Sequence, residues 1–459
     1  MHIKERALNY VVTVVGTGYV GTACAIGFAD LGWSVIGYDI LEERIADLCN
    51  GLPPYNEAGM VEALQRNLTR GSLRFTTDTN LALQTADCII IAVGTPALSD
   101  GHADLSALWH VVDILANLPP RPHRLVVLRS TVPPGTSDRI ATRLAGIADV
   151  CFVPEFLREA HALHDLLHPD RHVVGADSEA AATRYLRLVA DIAAPQVVTT
   201  RLNAELTKLA SNAFLAMKIS FANEVANLTD VLGGDAIAVL SAMGLDRRIG
   251  EAFLQPGIGF GGPCFAKDLS SYERTASSAK TPSELVSATL RVNAHQPRRI
   301  VDLLEEALGR LEDTRIAVWG LTYKAGTDDI RSSLALPILR DLSERGARAL
   351  VFDPEAPLTM LPDGMSRVAE IDQTLSADAL LILTEWPTFV TIAPQELARR
   401  LQRRIIVDGR NLLDMDACLA AGLRYIGVGR RGEPHTVTSL HEEVSLSLSS
   451  LTFADGARR

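Results

Sequence analysis

Residues 11–39 read VVTVV, then GTGYVG, then TACAIGFADLGW, then SVIGYD. A β-branched run, a glycine turn, an Ala-rich helical stretch and a second apolar run ending in an acid leave few folds open. Gly16, Gly18 and Gly21 form G-x-G-x-x-G between the first strand and the helix. Gly16 permits the tight turn, and Gly18 lets the backbone approach a pyrophosphate. Gly21 lets the helix pack on the strand, and Tyr19 and Val20 open the helix whose N-terminus is aimed at the phosphates. Asp39 ends the next strand, where a carboxylate accepts hydrogen bonds from ribose hydroxyls and repels a 2′-phosphate. The glycines alone also suit a plain structural turn. With strand, helix and terminal acid all in place, the stretch predicts a dinucleotide site that takes NAD rather than NADP.

More strand-like runs follow: CIIIAVGTP (88–96), RLVVLRSTVPPGT (124–136) and VCFVPEF (150–156). Their alternation with helical stretches predicts a parallel sheet covered on both faces. The loops bearing Gly94, Thr95 and Pro96, and Thr131 in STVPPG, fall at strand ends, where such sheets bind ligands. From 201 the pattern becomes RLNAELTKLASNAFLAMKISFANEVANLTDVLG, with no Gly or Pro before its end, which predicts one long helix with an apolar face for a partner subunit. A second α/β unit starts at TRIAVWGLTYK (314–324) and has no G-x-G-x-x-G. The expected fold is α/β, with two Rossmann-like doubly wound domains joined by a central helical region. The expected boundaries are 1–198 (NAD-binding), 199–310 (helical, dimerising), 311–440 (second Rossmann-like domain) and a disordered tail at 441–459.

At 459 residues the chain is too long for one ordinary domain. The 44 Lys+Arg against 55 Asp+Glu give a net charge of −11, the wrong sign for a nonspecific nucleic-acid or anionic-membrane binder. The cysteines are scattered without a CxxC pair, which fits a reducing compartment. No apolar run of about 18 residues and no signal-type leader is present, so the expectation is a cytoplasmic protein.

The stretch GFGGPCFAKD (259–268) sets Cys264 among glycines, with Lys267 and Asp268 close behind. Cys264 is either a small apolar residue in a tight turn or a nucleophile tuned by its neighbours. GTGYVG, STVPPGT, PEFLREA (154–160), KLASNAF (208–214), GFGGPCFAKD and GLTYKAGTDDIRSS (320–333), in this order, resemble the UDP-glucose/GDP-mannose dehydrogenase family. The likeness runs from residue 11 to about 430. It implies NAD-dependent oxidation of a nucleotide-sugar C6 alcohol to a carboxylate. An aldehyde is formed on the way, and Cys264 would capture it as a thiohemiacetal that becomes a thioester.

The resemblance also implies roles. Lys208 and Asn212, four apart on one helix face, would point at the reacting carbon, Lys208 stabilising an oxyanion and Asn212 donating a hydrogen bond. Without the cysteine loop these two would read as a solvated helix face. Asp268 is the expected partner of a catalytic water or of Lys208, and Thr131 and Glu155 resemble a pair that positions water and accepts protons. Phe156, Leu157, Glu159 and Gly261 match positions near the sugar. Lys324 and Arg410 would contact the nucleotide sugar, Phe253 the nucleobase, and Arg248 would arrive from the partner subunit of a homodimer. Lys267 and Arg331 are expected near the cofactor.

His161, His164, His168 and His172 are spaced like zinc ligands on a helix, but Pro169 breaks that helix and no HExxH accompanies them, so no metal is expected. Val153, Ala160 and Pro263 depart from residues common in the family, where Asn, Gly and Ser are frequent. Proline also occurs at 263 in the family, whereas Val153 and Ala160 lie near where the sugar should sit and leave the sugar and base open: UDP-glucose, GDP-mannose, dTDP-glucose or a UDP-N-acetylhexosamine. A single-hydride dehydrogenase of the hydroxyacid or 6-phosphogluconate type would not require Cys264. A non-catalytic NAD-sensing scaffold would predict a damaged residue set.

Overall fold

Strands form where the sequence is β-branched, and most are buried on both faces. The computed structural model describes residues 10–432 apart from 56 and 99. Its first sheet comprises β1 (Val11–Val15), β2 (Ser34–Tyr38), β3 (Leu73–Thr76), β4 (Cys88–Ile91), β5 (Leu125–Leu128), β6 (Asp149–Phe152), β7 (His172–Gly175) and β8 (Gln196–Thr199). They lie in the order β3-β2-β1-β4-β5-β6-β7-β8. CIII and LVVL are wholly out of water, as a sheet with helices on both faces requires. Pairing is parallel except that β7 meets β6 antiparallel through one pair, Phe152 with Gly175. The strand order reverses between β1 and β4, the point at which doubly wound sheets bind their ligands.

The second sheet repeats that winding with β9 (Arg315–Trp319), β10 (Arg348–Phe352), β11 (Met365–Arg367), β12 (Ala379–Ile382), β13 (Ile405–Asp408), β14 (Arg424–Gly427) and β15 (Arg430–Gly432). Their order is β11-β10-β9-β12-β13-β14-β15, parallel up to the closing β14–β15 hairpin. Asp353 follows β10 as Asp39 follows β2. Its Oδ2 accepts from the amides of Leu321 (2.6 Å) and Thr322 (3.0 Å), the Thr322 hydroxyl (3.2 Å) and the Trp386 indole (3.2 Å). Its Oδ1 accepts from the amides of Glu355 (3.0 Å) and Ala356 (2.8 Å). A carboxylate offers about four lone-pair sites, so none remains for a ribose. The second sheet repeats the winding of the first but not its ligand chemistry.

The predicted long helix runs from Arg201 to Leu232, 32 residues, or about 48 Å at 1.5 Å per residue. The helix Glu284–Leu308 continues through Pro297. Proline removes one ladder hydrogen bond, and the buried Ile300, Val301 and Leu304 hold the helix in place around the gap.

The chain divides into two compact units. Among the described residues the first comprises 10–217, 261–291 and 326–329, the second 218–260, 292–325 and 330–432. The boundary falls inside the long helix, so the helical segment contributes to both units. Among the described residues no helix is long and apolar enough to cross a membrane. The tail expected at 441–459 lies outside the described residues.

Candidate active site

The glycine fingerprint is built as its spacing predicts. A Cβ on Gly16 (φ +88°) would sit 2.9 Å from the Ala92 carbonyl oxygen, and one on Gly21 only 1.7 Å from the carbonyl oxygen of Gly16. A Cβ on Gly18 would meet nothing within 4 Å. The outer glycines are needed by the fold, and the middle one leaves open the space a pyrophosphate would take. Asp39 accepts from the Thr17 amide (2.8 Å) and hydroxyl (3.0 Å) through Oδ2 and from the Leu41 amide (3.2 Å) through Oδ1. Burial pushes its carboxyl up, but these donors and Arg44 outweigh that and hold it below the usual range. Oδ1 therefore keeps acceptor capacity that Asp353 lacks. A cleft of about 430 Å³ lined by Leu41, Arg44, Asp47, Leu52 and Pro54 shares Leu41 and Arg44 with Asp39. The Thr95 hydroxyl donates to the Thr131 carbonyl (2.7 Å), tying the Gly94–Thr95–Pro96 loop to STVPPG. These residues fit an NAD molecule.

The long helix brings Lys208 and Asn212 out of water in the first unit. Lys208 Nζ donates to Glu155 Oε1 (2.8 Å) and to the Glu155 carbonyl oxygen (2.7 Å). Asn212 Nδ2 donates to Asp268 Oδ2 (2.6 Å), and Lys267 Nζ to Asp268 Oδ1 (2.7 Å). The ion-pair partner of Lys208 is thus Glu155, while Asp268 is held by Asn212 and Lys267. Burial pushes the Glu155 carboxyl up, but Lys208, the Leu157 amide and Arg129 together hold it below the usual range. Burial pushes Lys208 down, and Glu155 and Asp268 overcome it and raise it.

Cys264 caps the N-terminus of the helix Phe265–Ser278, and its residue surface is exposed. A helix N-terminus favours a thiolate. Yet the protein packed around the thiol pushes it up to about 11, with Glu155 and Asp268 adding to the effect against Lys208 and Lys267. Burial is the larger cause, and the lysines cannot offset it because each is already paired with a carboxylate. With its thiol pushed up to about 11, Cys264 is held in its protonated form at neutral pH in the free protein.

Of the residues matched to the sugar, Phe156, Leu157, Glu159 and Gly261 belong to the first unit. The Leu157 amide donates to Glu155 Oε2 (2.8 Å), and Arg171 stacks over the Phe156 ring at 4.0 Å. Glu159 Oε1 accepts from the Thr327 hydroxyl (2.7 Å). Arg248, Phe253, Lys324, Arg331 and Arg410 belong to the second unit. Arg248 is exposed and folded back on Asp246 (2.6 Å). Phe253 has a left-handed backbone, φ +65°, uncommon for a bulky residue. Arg410 donates to the carbonyls of Leu383 (2.8 Å) and Tyr323 (3.1 Å), bracing two strand-end loops, and Lys324 lies 5.8 Å above the Tyr323 ring. Arg331 is exposed. Among the described residues no group of three or more His, Cys, Asp and Glu side chains is arranged to hold a metal ion.

Two acids escape sequence reading. Glu205, buried on the long helix, accepts from the amides of Gly135 (2.6 Å) and Ser137 (2.8 Å) and from the Ser137 hydroxyl (2.5 Å). It fastens the loop after Thr131 to the helix that carries Lys208 and Asn212. Its signal was available, because 205, 208 and 212 share one helical face. Glu57 accepts from the amides of Ala162 and Leu163, both at 2.8 Å, anchoring the chain just after PEFLREA. No local pattern announces a partner more than 100 residues away.

The comparisons with known proteins cover the same ground. Three models of the UDP-glucose/GDP-mannose dehydrogenase family match in order: the NAD binding domain at residues 10–193, the central domain at 202–295 and the UDP binding domain at 317–415. A UDP-glucose 6-dehydrogenase of Rhizobium meliloti is 39% identical over 435 residues, covering 91% of this chain and 99% of its own. Among solved structures, a UDP-glucose dehydrogenase from Pyrobaculum islandicum is 39% identical with a TM-score of 0.84, over 92% of this chain and 98% of that one. A UDP-D-ManNAc dehydrogenase from Pyrococcus horikoshii is 30% identical with a TM-score of 0.82, over 92% and 99%. With an open NAD cradle, a lysine–glutamate pair beside a cysteine loop and three family domains in sequence, the chain belongs to the UDP-glucose/GDP-mannose dehydrogenase family of NAD-dependent nucleotide-sugar dehydrogenases.

Proposed function

We propose that the protein oxidises UDP-glucose to UDP-glucuronate in two steps, with Cys264 holding the half-oxidised carbon. The observation that carries this reading is the clustering of Cys264, Lys208, Glu155, Asn212 and Asp268 in one unit, with one buried and one part-buried lysine–carboxylate pair around an exposed cysteine. Residues 1–198 hold the cofactor, 199–310 supply the catalytic helix, the cysteine loop and Phe253 against the nucleobase, and 311–440 take the nucleotide sugar through Lys324 and Arg410. NAD accepts the two hydrides.

In the first step the C6 hydroxyl loses its proton to Glu155, or to a water held by Thr131 and Glu155, as the carbon loses a hydride. The developing oxyanion takes hydrogen bonds from Lys208 and Asn212. The Cys264 sulfur then adds to the aldehyde carbon, forming a C–S bond as the C=O π bond opens and the thiol proton passes to the oxygen, which gives a thiohemiacetal. Loss of a second hydride from that carbon, with the hydroxyl proton passing through Glu155 to water, leaves a thioester. Water, deprotonated by Glu155 or Asp268, attacks its carbonyl, the C–S bond breaks, and the carboxylate leaves as the thiol is restored.

UDP-glucose is favoured over the N-acetylhexosamine alternative because the relatives named for UDP-glucose reach 39% identity and the UDP-D-ManNAc dehydrogenase 30%. A homodimer is part of the reading. Phe214, Phe221 and Leu228 recur every seven residues on the long helix, all exposed, with Val231 and Leu232 beyond them. Such a stripe buries itself against a second copy. Arg248, exposed in one chain, would then serve the partner's site.

The test is the amount of NADH formed per molecule of limiting UDP-glucose with NAD⁺ in excess. Two per sugar supports the double oxidation. One means a single-hydride enzyme, and none with UDP-glucose but two with a UDP-N-acetylhexosamine moves the substrate assignment.

A further inference from the structure

Arg129 stands between β5 and Thr131 with 5% of its surface exposed. Around the thiol every lysine has a carboxylate partner, but Arg129 forms no ion pair among the described residues. Its Nη1 donates to the hydroxyl of Tyr185 (3.2 Å), itself 2% exposed, and its Nε is buried without any partner. A buried, unpaired guanidinium is costly to keep, and such a group calls for an explanation beyond packing. Backbone geometry puts it at the strand end from which the Glu155 loop leaves. β5 and β6 run side by side, with Leu128 opposite Phe152 and the Val153 amide donating to the Leu128 carbonyl at 2.9 Å. Arg129 and the Glu155 loop therefore leave adjacent strands at the same end of the sheet.

We propose that Arg129 is a positioning residue for the reaction, a countercharge fixed in the core that keeps Glu155 anionic when Lys208 turns from it to the reacting oxygen. While Lys208 grips Glu155 the carboxylate is neutralised; once the ammonium moves to an oxyanion, a buried carboxylate would be left to take up a proton and lose its function as a base. Arg129 has no carboxylate of its own to neutralise it, so its charge remains available to Glu155. The groups that face Glu155 are Lys208 from the long helix, Arg129 from the end of β5, Cys24 from the fingerprint helix and Cys264 from the cysteine loop. Tyr185, Cys24 and His172 face Arg129 in turn. His172 is buried on β7 with Nε2 unpartnered, and burial holds it below its ordinary 6.5, so it adds no second cation at neutral pH.

The inference rests on Glu155 acting as a base in the reading above. The test compares the acid limb of kcat/KM against pH in the full-length enzyme for the wild type, Glu155→Gln, Arg129→Met and Arg129→Lys. Glu155→Gln is expected to abolish the limb. Arg129→Met is expected to move it to higher pH by about one unit, the effect of removing a nearby opposite charge, and Arg129→Lys to restore it. If Arg129→Met does not fold, Arg129→Gln carries the same test. A limb that disappears in Glu155→Gln but stays put in the neutral Arg129 variants overturns the proposal while sparing the role of Glu155. A limb that survives Glu155→Gln overturns both.

Discussion

Lys208 holds Glu155 twice, at the side-chain oxygen (2.8 Å) and at the backbone carbonyl (2.7 Å), so one ammonium fixes both the charge and the position of the carboxylate. Truncating the lysine leaves a buried acid without its main partner. Lys208→Met is expected to lower kcat by about 10²–10³-fold, as for loss of an oxyanion donor. In the wild type Glu155 is held below its ordinary 4.5, so its contribution is present above that pH and fades as the pH falls further. In the variant the Leu157 amide and Arg129 still hold the carboxylate, but with less total effect, so the melting temperature should fall less on acidification below pH 5 than in the wild type. An equal fall in both would contradict the pairing.

Cys264 should behave as an unactivated thiol in the free enzyme. With its thiol pushed up to about 11, the thiolate fraction rises about tenfold per pH unit through the neutral range. The rate of alkylation by iodoacetamide should follow that slope from pH 7 to 9. A plateau already reached at pH 7 would mean a thiolate is present before substrate arrives. Cys264→Ser should bind NAD⁺ normally and make no acid, and acid at the wild-type rate would exclude the thioester.

Glu205 is the latch between the loop after Thr131 and the helix that carries Lys208 and Asn212. Glu205→Ala would strand the Gly135 and Ser137 amides and the Ser137 hydroxyl. A destabilisation of about 2–4 kcal/mol is expected from unpaired buried donors, with a several-fold rise in KM for NAD⁺ as the loop of Thr131 loosens. Chemical denaturation and initial rates check the two separately, and an unchanged KM would confine Glu205 to stability.

Ala160 stands where the family commonly has glycine, and it adopts φ +63°. A left-handed alanine costs about 1 kcal/mol relative to glycine, partly offset by glycine's greater freedom when unfolded. Ala160→Gly is therefore expected to stabilise the chain by about 0.5 kcal/mol without altering NAD⁺ affinity. A lower melting temperature would show that the Cβ does useful packing.

Legibility followed the range of the interactions. The fingerprint, the long helix and the two sheets are local patterns of glycine, β-branched residues and helical period, and each is read within a few dozen residues. Lys208 and Asn212 could be placed on one face, but not their partners. The assignment of Glu155 to Lys208 and of Asp268 to Asn212 spans 53 and 56 residues and is set by how the elements pack. The same holds for the single antiparallel pair between β6 and β7, for Glu57 and for the unpaired state of Arg129. The elevated thiol of Cys264 comes first from burial and then from lysines already paired with carboxylates, and no sequence pattern records either.

The saturated carboxylate of Asp353, plugged by the Trp386 indole, has a consequence in time. One Rossmann-like sheet keeps an open cradle, and its twin is closed at the corresponding acid. For the double oxidation proposed here, a single seat must serve both hydride transfers, so it has to be vacated and refilled midway through each turnover. During that exchange the half-oxidised sugar would be a free aldehyde were it not tethered to sulfur. Built this way, the chain needs a covalent bond as a timekeeper, holding the substrate while the first reduced cofactor leaves and the second oxidised one arrives.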